Sequence, residues 1–127
     1  MSIYKLPENK KSKVLLVVDH MFFHLSIKET LVENGFEVRS AYDGIEGIEI
    51  LLNEPNFNAV LSNLSFGIMD DSSFLSAASI LSPDIITILI GESGIPECET
   101  SSEINLILKK PFQKAQWLQA IKHSIAC

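Results

Sequence analysis

The sequence predicts an α/β sandwich in which five parallel strands form one sheet with helices on both faces. Three observations lead there. Apolar strand-like runs and amphipathic helix-like stretches alternate five times along 127 residues. The connections between them are too short for anything but βα units, which arrange their strands in parallel. The first run, Val14 to Val18, is continuously apolar, as a strand covered on both faces must be. Five such units with right-handed crossovers fit the doubly wound strand order 2-1-3-4-5.

Each element has its own signal. Residues 1–12 are polar and lysine-rich, with Pro7, and read as a flexible lead-in to a domain spanning residues 13–127. After the first strand come Asp19-His20 and a helix to about Asn34. Phe23, Ile27 and Leu31 form its stripe, and Gly35 is the stop signal. Residues 36–40 alternate, which predicts a half-buried or edge strand. Asp43-Gly44 makes a turn, and Ile45, Ile48 and Leu52 give the next helix a single apolar stripe.

Pro55-Asn56 ends that helix, and the third strand begins near Phe57 and runs out at Asn63. A small polar loop follows. Helical periodicity then resumes from Ser72 with Phe74, Ala77, Ala78 and Leu81. Ile85 to Ile90 is the most apolar strand. Gly91 to Ser102 holds two glycines, a proline and no apolar stripe, so the fourth helix is expected to be short or degenerate. Ile104 to Leu108 is the fifth strand, KKPF a turn, and Ala115, Leu118, Ile121 and Ile125 mark a last amphipathic helix. The whole is a flavodoxin-like (βα)5 arrangement.

Composition narrows the function. A net charge of −6 and a pI near 4.9 disfavour a nucleic-acid surface. No apolar run approaches the length of a membrane span, and no signal-peptide core follows the lysine-rich start, so a cytoplasmic location is expected. Cys98 and Cys127 lack metal-ligand spacing and read as free thiols.

Three segments, VLLVVDH, AYDGIEGIEIL and LKKPF, resemble in order and spacing the landmarks of response-regulator receiver domains. The resemblance covers about residues 13–125. It implies a site at the carboxyl ends of the strands, where an aspartate on the third strand takes up a phosphoryl group. An acidic pair and that aspartate hold Mg²⁺, and a lysine meets the phosphoryl oxygens.

Carried onto this chain, the resemblance is incomplete. The acceptor position is Asn63, whose neutral amide would not give a stable acyl phosphate. The acidic pair is Asp19 and His20, and Mg²⁺ binding is expected to be weak or absent. The hydroxyl-bearing switch position matches Gly91, and the switch aromatic matches Ile107. Lys110 matches the phosphate lysine and is expected to pair with Asp19; Lys110-Pro111 resembles the family's cis peptide.

Several nearby residues each admit two roles. Asp70 or Asp71 as a displaced acceptor competes with a helix-capping role, which is preferred. His20 and His24, four apart, are read as loop histidines rather than metal ligands. Trp117 is read as partly buried packing rather than a partner anchor.

The expected function is therefore a pseudo-receiver. It is no enzyme, holds no cofactor or metal, and works as a phosphorylation-independent interaction module for a protein partner or a tethered domain. It contacts neither nucleic acid nor membrane directly, and its oligomeric state is left open. One alternative is a phosphorelay receiver using a non-standard acceptor. The other is a small flavodoxin-like cofactor binder. Against it, His-Met-Phe-Phe-His stands where a phosphate cradle would be, and Asp19-His20 lacks the D-x-H-x-x-G spacing of a cobalamin site.

Overall fold

A computed structural model describes residues 11–64, 69–92, 104–110 and 114–126. Most of the lead-in, residues 93–102 of the stretch expected to be a degenerate helix, and Pro111 lie outside these residues, while Gly91 and Glu92 of that stretch belong to a strand. Five strands are described: β1 (Lys13–Val18), β2 (Glu37–Ala41), β3 (Ala59–Asn63), β4 (Ile86–Glu92) and β5 (Leu106–Lys110). The described helices are α1 (Met21–Glu33), α2 (Gly44–Asn53), α3 (Asp71–Leu81) and α4 (Lys114–Ala126). The strands form one parallel sheet in the order β2-β1-β3-β4-β5, as expected.

The sheet divides the core in two. On one face Val14, Leu16 and Val18 pack with Ile27 and Leu31 of α1 and with Trp117 and Ile121 of α4. On the other, Leu15, Val17 and Val60 pack with Phe74, Leu75 and Ala78 of α3. Alternate residues of β1 thus serve opposite faces, which explains its unbroken apolar run. Trp117 is only 4% exposed and belongs to the core, more deeply than the partial burial expected of it.

Several local expectations are corrected. Ile45 and Leu52, read as the inward stripe of α2, are 49% and 64% exposed. The inward face is instead Gly44 and Gly47, with Ile48 and Leu51 packed against the core. A Cβ on Gly47 would come within 2.8 Å of the Phe74 ring and 3.1 Å of Val17, so the bare glycine lets the helix settle closer and rotates its isoleucine and leucine outward. β5 runs through Lys109 and Lys110, which the sequence had placed in a turn. β3 begins at Ala59 rather than Phe57, and α3 begins one residue before Ser72. Gly35, at φ 90°, stops α1 as predicted.

Candidate functional site at the carboxyl edge of the sheet

Parallel register brings the candidate residues to one edge. Val18 is aligned with Asn63 at the ends of β1 and β3, and the Asp19 amide continues the ladder by donating to the Asn63 carbonyl (3.4 Å). Gly91 and Glu92 of β4 are aligned with Lys109 and Lys110. Gly91 is buried, and Ile107, one strand over, is half-buried and packs on the α3 side of the sheet. The edge therefore gathers Asp19, Asn63, Gly91 and the backbone of Lys110. The expected Lys110–Asp19 pair concerns a lysine side chain outside those described.

Asn63 is 8% exposed, and its Nδ2 donates to the Ile90 carbonyl at 2.5 Å. This ties the ends of β3 and β4 together. Only the amide has a proton to give; an ionised carboxylate there would face the carbonyl as a second acceptor.

The two aspartates read as helix caps divide their work. Asp70 is the N-cap of α3 and accepts from the Ser73 amide at 2.8 Å, which holds its carboxyl below the usual range. Asp71, in the first turn, folds back to the strand. Its Oδ1 accepts from Ser62 Oγ at 2.5 Å and from the Leu64 amide at 2.8 Å. A carboxylate thus closes on both neighbours of Asn63. Burial raises the Asp71 pKa; the bonds from Ser62 and Leu64 oppose this, while Asp19 and Asp70 add to it. Sequence reasoning missed this role, because an acid in a first helical turn is so often explained by the helix end alone.

The histidines part company. His20, exposed, is the N-cap of α1, its Nδ1 accepting from the Phe23 amide at 3.4 Å. His24 is fully buried, bonded to the Val18 carbonyl (2.9 Å) and to Ser40 Oγ (2.8 Å), and stacked on Tyr42 at 4.1 Å. A carbonyl can only accept, so Nδ1 carries the proton and Nε2 accepts from Ser40 when the ring is neutral. Burial, chiefly, lowers its pKa, with Lys28 assisting. Neither histidine is placed to share a metal with the other, and both do structural work rather than standing in loops.

The residues present do not fit the Mg²⁺ that the resemblance implies. Of its three acidic positions only Asp19 is a carboxylate; His20 caps a helix and the Asn63 amide is turned to Ile90. Mg²⁺ demands near-octahedral oxygen ligation, for which this set is poor. Among the described residues, no group of three His, Cys, Asp or Glu could hold a metal ion, and no helix is long and apolar enough to cross a membrane.

Comparison with known proteins rests on structure. No protein-family model matches the chain, and no curated protein does. Solved structures do. Chemotaxis protein CheY4 of Vibrio cholerae superposes with a TM-score of 0.81 at 24% identity, covering 90% of this chain and 98% of its own. A CheY-like response regulator receiver domain protein of Methanospirillum hungatei gives a TM-score of 0.81 at 26% identity, over 91% and 94%. A chain described as adenylate cyclase of Rhodopirellula baltica reaches 0.81 at 20% identity, over 91% and 88%, a likeness of fold alone. With its sheet order, the placement of its helices and these neighbours, the chain has the receiver-domain fold of two-component response regulators.

Proposed function

We propose that this chain is an atypical receiver, a pseudo-receiver that signals through protein contact and takes up no phosphoryl group at its sheet edge. The observation that carries this reading is the Asn63 amide, buried and donating to the Ile90 carbonyl. The position that would attack phosphorus is neutral and is used as a strand-end staple. Gly91 offers no hydroxyl and Ile107 no switch aromatic, which supports a fixed edge rather than a two-state one.

A displaced acceptor would be Asp71. Its Oδ1 is already held by Ser62 and Leu64, and burial favours its protonated form, a poor nucleophile. On this reading the module meets a protein partner or a tethered domain in the cytoplasm, without an enzymatic step of its own. Incubation with acetyl phosphate and Mg²⁺ tests it: intact mass and amide NMR shifts should stay unchanged. A gain of one phosphoryl group, mapped to Asp71 or any residue of that edge, would overturn the reading.

A further inference from the structure

At the amino end of the sheet the chain is held in the ladder from Ser12 onward. The Ser12 carbonyl accepts from the Glu37 amide (2.9 Å), and the Lys13 amide donates to Asn58 Oδ1 (2.8 Å). Lys13 sends its side chain to the C-terminal end of α2, where Nζ meets Glu54 (3.1 Å) and the Pro55 carbonyl (3.1 Å). Lys11, two residues earlier, lines a cleft of about 750 Å³ with Phe57 and Asp84 on the same side. The residues before it therefore approach over the face that carries α2 and α3.

That face leaves apolar side chains outside the core. Leu52 is 64% exposed and Leu81 41%. They flank a groove of about 370 Å³ between the C-terminal ends of α2 and α3, with Leu51, Phe57 and Pro83 in its wall. Groove and cleft share Pro55, Asn56, Phe57, Ser82 and Asp84, so one runs into the other. The outward Leu52 follows from the glycine face of α2 described above.

We infer that the chain's own lead-in fills this groove, seating Tyr4 and Leu6 between Leu52 and Leu81. Ile3, Tyr4 and Leu6 are the apolar block of the lead-in, and Pro7-Glu8-Asn9-Lys10 is a polar spacer between that block and Lys11. Leu6 stands five residues before Lys11, a reach of roughly 17 Å when extended, enough to pass from the cleft into the groove that adjoins it. The tether selects this occupant. A segment a few residues away is present at an effective concentration in the millimolar range, which a second copy or a separate protein in the micromolar range does not match. A stretch expected to be flexible thereby becomes a strap, and a partner using this groove must first displace it.

The groove lies at the opposite end of the sheet from Asn63, so the inference is independent of whether that edge takes up phosphate. NMR on the ¹⁵N-labelled full chain tests it. Tyr4→Ser with Leu6→Ser should shift the amides of residues 51–57 and 81–84 and leave those of α1 in place. With leucine methyls labelled, NOEs should join Leu6 to Leu52 or Leu81 and persist on dilution. Trypsin cuts after Lys5 only while that segment is open. Cleavage there should be several-fold faster in Leu52→Ser with Leu81→Ser than in the unaltered chain, while cleavage after Lys28 of α1 stays as slow. Groove amides that ignore the lead-in variant, equal cleavage after Lys5 in both chains, or NOEs found only between two differently labelled copies would overturn the proposal.

Discussion

The two ends of the sheet handle charge in opposite ways. At the amino end unlike charges meet: Lys13 Nζ bonds Glu54 and the Pro55 carbonyl, lies 4.4 Å from the centre of the Phe57 ring, and shares Glu54 with Arg39. At the carboxyl end, among the described side chains, the Asp71 carboxyl is buried within the field of Asp19. There the neutral Asn63 lies between β1 and β4, donating a proton where a third acid would have none to give. The contrast teaches that a sheet edge gathering acids can still be closed by a neutral side chain.

The sharpest way to break the comparison is Asn63→Asp. It removes the donor to Ile90 and adds a carboxylate to an edge that already holds Asp19 and Asp71. A loss of roughly 3 kcal/mol is expected, read as a lower midpoint in chemical denaturation at neutral pH. No phosphorylation-driven dimerisation should follow, because Gly91 and Ile107 still lack the switch groups. An unchanged midpoint would show that the staple contributes nothing.

Asp71→Asn comes next and acts in the other direction. The folded pKa of Asp71 lies above its unfolded value, so its contribution to stability is present below the unfolded value and lost as pH rises through the folded one. An asparagine keeps an oxygen for Leu64 and Ser62 and removes the repulsion from Asp19. The variant should melt a few degrees higher at neutral pH, with the advantage fading in acid. Thermal melts across that range decide it, and a parallel offset at all pH values would contradict the assignment.

The smallest effect is expected at the amino end. Arg39→Ala opens a bond between Arg39, whose side chain is 52% exposed, and Glu54, which keeps Lys13. Exposed ion pairs are screened and hold two long side chains still at an entropic cost, so the melting temperature should barely move. A large drop, persisting in high salt, would mean that this end is as tightly constrained as the other.

Sequence pattern alone was enough for the strand-and-helix alternation, the parallel sheet and its strand order. Period-2 and period-3.6 burial are local properties, and parallel connections allow few arrangements. The amide at position 63 was legible too, because side-chain chemistry does not depend on coordinates. Tertiary structure decided which way groups face. Gly47 turned Ile45 and Leu52 outward, since how closely a helix approaches the sheet depends on Phe74 and Val17 rather than on its own stripe. Asp71 closed back onto Ser62 and Leu64, and His24 sank between Val18 and Ser40, because a hydrogen-bonding group about to be buried takes the partner that folding places nearest. That choice is made only when distant segments meet.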